Sequence, residues 1–286
     1  MHRRIAAVAA GLFVAVAGAC SGDRGEPPAP QVVAAFYPLQ YVAENVAGDD
    51  AEVTGITPPG AEPHNLELSA RQRSLIAEAD LLVYVGGSFQ PAVEELLAEY
   101  EGETLDALQI NPTISRPGDP HIWMDPVAMA GLARQVGEDL AEIDPDHADE
   151  YNRRVIGLVE RLNGVDDRFQ RGLTLCQRRQ IVTSHDAFGY LADRYLLEQI
   201  PVAGVEPDRE PPPQRVAEVA AQVRQLGVTT IFFEPLIPAE AAEAIAAQTG
   251  AETAQLDPLE SPPGAGDYVS AMLDNLGALR SALGCR

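Results

Sequence analysis

The chain has 286 residues, of which 46% are hydrophobic and 22% charged, and its formal net charge is -23. This length and apolar content suffice for one large domain or two compact lobes. The acidic balance argues against a nucleic-acid partner, because such binding requires a basic surface. All twenty cationic side chains are arginine, which excludes mechanisms that need a lysine.

The first residues have the pattern of a targeting segment. Two arginines precede a long apolar run, and Cys20 follows two small residues. The run is short for a membrane span and suits a signal peptide, which we predict for residues 1–19. "VAGACSG" resembles a bacterial lipoprotein processing site and predicts lipidation of Cys20, although alanine stands at position 17, where leucine is usual; cleavage elsewhere is the alternative. Residues 20–31 are predicted to form a disordered tether, because they are rich in proline, glycine and charge.

Short apolar runs alternate with helical patterns through the rest of the chain. In the first half, the strand-like runs "VVAAFYP", "VTGITPPG" and "DLLVYVGG" alternate with the helical segments "LQYVAENVAG", "SARQRSLIAEA" and "PAVEELLAEY". In the second half, "RQIVTSH", "EQIPVAGV", "VTTIFFE" and "AETAQLDPL" are the strand-like runs, again separated by helical segments. This alternation predicts parallel sheets with right-handed crossovers.

The stretch between the halves has no strand signal, and Pro145 divides it into two helices. The second helix is predicted over residues 145–173, where it would hold two α/β lobes at a fixed geometry across a cleft. The predicted fold is therefore α/β, with two lobes, each a parallel-type sheet flanked by helices, joined by one long rigid helix. The lobes are expected at residues 32–144 and 174–286.

Two cysteines remain if Cys20 carries lipid. Cys176 and Cys285 then form a pair of cysteines in an oxidising compartment, and this even number predicts a disulfide between them. Two free thiols are the alternative, because sequence spacing does not establish proximity.

Reactive side chains recur where predicted strands end. His64, His121 and His185 each lie at the carboxyl end of a strand or in the loop after it, and Asp257 ends the last strand. Ligands of open parallel sheets bind beyond these ends, so the four groups, two from each half, can converge in the cleft. Three imidazoles and one carboxylate suit four-coordinate Zn²⁺ better than Ca²⁺ or Mg²⁺, which require oxygen ligands.

Each of these residues also has a purely structural interpretation. A strand-end histidine is often a hydrogen-bonded polar group, and Asp257 before a proline can cap a helix or start a turn. Asp125 before Pro126 is interpreted as a helix N-cap with no metal role, and Trp123 as core packing at the rim of the site. The shared position of the three histidines favours a joint metal site.

Four motifs together resemble the zinc/manganese class of solute-binding proteins that serve bacterial ABC importers. They are "GAEPHNLELSARQRSLIAEADLLVYVGG", "DPHIWMDP", "VTSHDAFGYLADRY" and "FFEPLIPAEAAEAIAAQTGAETAQLDPL", in matching order over essentially the whole mature chain. The resemblance implies His64, His121, His185 and Asp257 as ligands of the transported ion. Histidine at the third position implies zinc, whereas the lack of a histidine-rich loop before His121 keeps manganese as an alternative.

Three further acids lie beside these residues or at a neighbouring strand end. Glu62, Asp186 and Glu234 could each accept a hydrogen bond from a ligand imidazole and set its tautomer. Solvated acids or helix caps are the alternative for each of them.

The expected function is therefore high-affinity capture of Zn²⁺ outside the cytoplasm and its delivery to an ABC-type membrane permease, not enzymatic catalysis. A zinc hydrolase is the more distant alternative, since the chain lacks an HExxH helix and a G-x-S-x-G elbow. We expect a monomer in the periplasm or anchored through lipid on Cys20 to the outer face of the cytoplasmic membrane.

Overall fold

The computed structural model describes residues 28–111, 116–207 and 210–286. The predicted signal peptide, Cys20 and most of the predicted tether lie outside these ranges. Within them the strands are β1 (Gln31–Ala34), β2 (Glu52–Gly55), β3 (Leu81–Tyr84), β4 (Glu103–Asp106), β5 (Gln180–Thr183), β6 (Glu198–Pro201), β7 (Thr230–Phe233) and β8 (Glu252–Gln255). The α-helices are α1 (Tyr37–Ala47), α2 (Ala70–Glu78), α3 (Pro91–Glu94), α4 (Pro126–Ile143), α5 (Ala148–Gly172), α6 (Gly189–Arg194), α7 (Pro213–Leu226), α8 (Glu240–Thr249) and α9 (Tyr268–Leu283).

The strands form two parallel four-stranded sheets with the same topology. The first has the order β2-β1-β3-β4 and the second the order β6-β5-β7-β8. In each sheet the second strand of the lobe lies on one side of the first strand and the third strand lies on the other side. The loops that follow these parallel strands therefore meet at the carboxyl end of the sheet. The predicted two-lobed α/β fold is confirmed.

Strand β4 was not among the predicted strands. It lies at the edge of the first sheet, beside β3 only, and three of its four residues are exposed or partly exposed. Only Leu105 is buried, so the segment lacks the apolar run by which its neighbours were recognised.

Helix α5 is the long helix predicted between the lobes. A 3-10 turn at Pro145–His147 precedes it, and its buried residues recur at helical spacing along one face. This face contacts α1 and α4 of the first lobe and α9 of the second. One hydrophobic core therefore continues from lobe to lobe along the helix, with Tyr151, Val155, Leu158, Leu162, Val165 and Phe169 among its members.

The predicted disulfide between Cys176 and Cys285 is confirmed. Cys176 follows α5 and Cys285 follows α9, so the bond closes a loop with a sequence separation of 109 residues. The first and last segments of the C-terminal lobe are thereby joined covalently.

Removing this bond is expected to destabilise the C-terminal lobe. The double variant Cys176→Ser/Cys285→Ser should lose about 2–5 kcal/mol of unfolding free energy, because its unfolded chain is no longer constrained. Calorimetry of the oxidised wild type, the reduced wild type and the double variant tests this. The last two should unfold at similar, lower temperatures; equal melting temperatures for all three would contradict the prediction.

Among the described residues, no helix combines the length and apolar character required to cross a membrane.

Candidate metal site in the cleft

Four buried side chains from the two lobes meet in the cleft. His64 lies in the loop after β2, His121 directly before the 3-10 turn Ile122–Met124, His185 two residues after β5, and Glu260 in the loop after β8. Each offers one ligand atom to a group whose members all lie within 4.8 Å of one another. The side chains of His121 and His185 are fully buried.

Four distances within this group match those around a small tetrahedral ion. The Oε1 atom of Glu260 lies 3.5, 3.6 and 3.5 Å from the Nε2 atoms of His64, His121 and His185, respectively. The Nε2 atoms of His121 and His185 are 3.3 Å apart. Zinc holds nitrogen and oxygen ligands at about 2.0–2.2 Å, so the edges of its tetrahedron measure about 3.3–3.6 Å.

Several polar atoms of the group make no hydrogen bond within the described part of the chain. They include both carboxylate oxygens of Glu260 and the Nε2 atom of His64, all of them buried. Unsatisfied polar atoms are costly in the interior of a protein, and a bound cation would satisfy the Glu260 oxygen and the His64 nitrogen that coordinate it. The donor set therefore fits a metal ion.

The carboxylate in the group is that of Glu260, not that of Asp257 as expected from the sequence. The Oδ1 atom of Asp257 accepts a hydrogen bond from the backbone N–H of Leu259 at 2.8 Å, and Leu259 has φ 61°. Asp257 thus stabilises a turn, and this turn brings Glu260, three residues later, to the imidazoles. The structure thus brings Glu260, and not Asp257, to the three imidazoles.

The two carboxyl groups also differ in acidity. Burial would raise the pKa of Glu260, but the contacts with the three imidazoles outweigh it and hold that pKa well below 4.5. For Asp257, burial and the nearby Glu260 and Glu234 raise the pKa to about 6, despite the opposing hydrogen bond from Leu259. Only Glu260 has the cationic surroundings that maintain a buried carboxylate.

Two other carboxylates contact the outward-facing nitrogens of the histidines. Asp119 Oδ1 lies 2.8 Å from His121 Nδ1, and Glu234 Oε2 lies 2.6 Å from His185 Nδ1. Each also accepts a hydrogen bond from the backbone N–H of the same histidine, at 2.9 and 3.1 Å. These contacts favour a proton on Nδ1 and leave Nε2 available to an ion.

Asp119 was not among the acids predicted to orient a ligand. A signal was present in the sequence, because an aspartate often accepts a hydrogen bond from the backbone two residues later, here from His121. Of the three acids that were named, Glu234 contacts His185. Glu62 Oε1 accepts a hydrogen bond from the backbone N–H of His64 at 3.2 Å and lies 4.0 Å from its Nε2.

The third acid, Asp186, is placed differently. Its backbone N–H donates to the carbonyl of Gly204 at 3.1 Å. Within the described ranges, its carboxylate makes no hydrogen bond with His64, His121 or His185. An orienting role for Asp186 stays a prediction.

The surrounding charges have opposite effects on the histidines. Burial lowers the pKa of His185, but Glu234 and Glu260 outweigh this and raise it to about 10. The pKa of His121 is likewise raised above 6.5, because Asp119 and Glu260 outweigh its burial. For His64 burial prevails over Glu260, and the pKa falls below 6.5.

The segment "DPHIWMDP" of the first lobe contacts the second lobe beside the site. Trp123 is fully buried and packs 5.0 Å from the His121 ring, centroid to centroid. Its Nε1–H donates to the carbonyl of Pro258 at 2.7 Å, and its own carbonyl accepts from the Tyr268 hydroxyl at 2.6 Å. Asp125 caps α4 as expected, accepting from the N–H of Val127.

The sequence profile of the family described as zinc-uptake complex component A, periplasmic, or ZnuA, matches residues 32–282. This chain belongs to the ZnuA family. The resemblance to zinc solute-binding proteins inferred from the sequence is therefore confirmed.

Individual relatives agree with this assignment. The zinc-binding lipoprotein AdcA of Streptococcus pneumoniae is 30% identical over 309 residues, which cover 97% of this chain and 60% of AdcA. The high-affinity zinc uptake system protein ZnuA of Bacillus subtilis is 27% identical over 278 residues, covering 88% of this chain and 87% of that protein. This ZnuA-family chain thus spans about three fifths of the length of AdcA and most of the length of the Bacillus protein.

A solved structure shows the same fold. The Zn(II)-bound ZnuA-like domain of Streptococcus pneumoniae AdcA superposes with a TM-score of 0.78 and 30% identity. The match covers 90% of this chain and 99% of that domain.

Proposed function

We propose that this protein captures Zn²⁺ outside the cytoplasm and delivers it to the membrane permease of an ABC importer. The observation that carries the proposal is the group of three imidazoles and one carboxylate with tetrahedral spacing, buried between the lobes. The family's role in zinc uptake and the Zn(II)-bound relative support it.

We propose His64, His121, His185 and Glu260 as the four ligands of the transported ion. Three nitrogens and one oxygen favour zinc over manganese, whose preferred ligands are mainly oxygens. A fourth protein ligand also argues against a hydrolase, because catalytic zinc sites keep one position for water.

A metal-competition experiment tests this function. The protein lacking residues 1–20 is stripped of metal, equilibrated with equal amounts of Zn²⁺ and Mn²⁺, separated from free ions and analysed for both metals. We expect about one zinc per chain, little manganese, and loss of zinc retention in His185→Ala. Preferential retention of manganese, or of neither metal, would contradict the proposal.

The location and anchoring of the protein are part of the proposal. We propose that lipid on Cys20 holds a monomeric protein at the outer face of the cytoplasmic membrane, in reach of its permease partner. AdcA, the relative named as a lipoprotein, supports this. Mass spectrometry of the native N-terminus and fractionation of a Cys20→Ala variant, which should leave the membrane fraction, provide the test.

The contact between Glu234 and His185 leads to a separate prediction. Glu234→Gln removes the negative charge beside Nδ1 and should weaken zinc binding about 10- to 100-fold, because the imidazole becomes a poorer and less oriented ligand. Competition with a chromophoric chelator measures the change. Glu243→Gln, on the exposed side of α8, should leave affinity unchanged; equal effects of the two substitutions would exclude the proposed role of Glu234.

A further inference from the structure

A chain of contacts connects the ligand His121 to helix α6 of the opposite lobe. The Oδ1 atom of Asp119 contacts His121 at both the backbone N–H and Nδ1, at 2.9 and 2.8 Å. Its Oδ2 atom accepts from Arg116 Nε at 3.0 Å. Arg116 then reaches across the cleft, where its NH1 contacts the carboxylate of Asp193 on α6.

Three residues of helix α6 contact Arg116 or Asp119. Asp193 binds the Arg116 guanidinium, and the Tyr190 hydroxyl accepts from the backbone N–H of Arg116 at 3.2 Å. The third position is Gly189, the first residue of the helix. A Cβ atom there would lie 2.3 Å from Asp119 Oδ2 and 2.6 Å from Arg116 Nε.

The carboxylate of Asp119 and the guanidinium of Arg116 therefore pack directly against the Cα atom of Gly189, which we call the glycine seat. Any larger side chain would displace Asp119 or Arg116, since the contacts are far shorter than van der Waals distances. His185 lies four residues before Gly189, in the segment between β5 and α6. Asp119 is largely buried, with 8% of its side chain exposed, which limits its freedom to shift.

We propose that Arg116 is a positioning residue of the metal site, which ties the orientation of His121, through Asp119, to helix α6 of the other lobe. The inference rests on the proposed function and adds a means of release. Parting the lobes withdraws α6 from Arg116, frees Asp119 to rotate, and loosens His121 as a ligand. Zinc affinity then depends on the contact between the lobes as well as on the four ligands.

Double-variant measurements of zinc affinity test this coupling. Arg116→Ala should weaken binding about tenfold, the lower end of the range for partners that orient a ligand. Combined with Asp119→Asn it should add little, because both act on His121 through one route. Combined with Glu234→Gln it should be additive, because Glu234 acts on His185 from within its own lobe.

Substitution of the glycine seat provides an independent test with a matched control. Gly189→Ala should reduce zinc affinity and alter the visible spectrum of the Co²⁺-loaded protein, which reports ligand geometry. Gly277→Ala, in α9, places its Cβ in open space and should change neither property. Arg153→Ala, which removes an exposed pair with Glu150, serves as the control for loss of an arginine.

The outcomes separate this inference from the proposed function. Wild-type affinity and an unchanged Co²⁺ spectrum in both Arg116→Ala and Gly189→Ala, with binding abolished in His121→Ala, would overturn the positioning role alone. Equal non-additivity with Asp119→Asn and with Glu234→Gln would also overturn it, because it indicates general loosening. A wild-type protein that binds no zinc would instead overturn the function.

Discussion

Glu260→Ala is expected to reduce zinc affinity by more than about 100-fold, since loss of a ligand should exceed the cost of losing an orienting partner. The substitution removes the carboxylate whose Oε1 atom lies about equally far from three imidazole nitrogens. Three buried histidines would then face the ion without a negatively charged ligand. Chelator competition at neutral pH measures the loss.

Asp257→Asn is the matched control for this substitution. The asparagine side chain keeps an oxygen that can accept from the N–H of Leu259, so the turn before Glu260 is preserved. Its affinity should stay within a few-fold of wild type. A loss as large as that of Glu260→Ala would show instead that Asp257 holds the ion.

Zinc affinity is expected to fall steeply as the pH decreases from 7 to 5. Because Glu234 and Glu260 raise the pKa of His185 to about 10, this ring carries an extra proton in the ion-free protein at pH 7, and the raised pKa of His121 favours a proton there too. Zinc must displace them, and each displaced proton costs about tenfold in affinity per pH unit. The loss over two pH units should thus lie between about 100-fold and about 10,000-fold. His64, with a pKa below 6.5, contributes only at the acidic end of this range.

Titrations in buffers of different ionisation enthalpy measure this proton release directly. The variant His147→Ala should show the same pH dependence as wild type, because His147 lies beside Asp144 before α5 and not in the group. Equal affinities at pH 5 and pH 7 would contradict the expected displacement of protons.

The position of His185 could be predicted because it follows from topology: His185 lies two residues after β5, whereas His64 and His121 lie in longer loops beyond β2 and β4. In a parallel sheet every strand delivers its carboxyl end to the same edge, so residues such as His185 need only their place relative to a strand. Glu260 could not be found in this way. It lies five residues beyond β8, after a turn whose shape depends on the bond from Leu259 to Asp257 and on the left-handed backbone of Leu259.

The same distinction applies elsewhere in the chain. The long helix between the lobes could be predicted, because the stretch that contains it has no strand signal and Pro145 marks a break just before α5. Strand β4 was missed, because only Leu105 turns inward from it. Contacts between distant segments, such as Arg116 with Asp193, leave no periodic pattern from which they could be inferred.

The continuous core along α5 has a consequence for the choice of ion. Because one helix packs against both halves of the molecule, the distance between the two pairs of proposed ligands is set mainly by apolar packing, whose contacts would be lost if the lobes moved apart. A cation that prefers longer bonds or more neighbours would have to deform that interior to be accommodated. We therefore expect core side chains that lie outside the site, such as Leu158 and Leu162, to contribute to discrimination among metals.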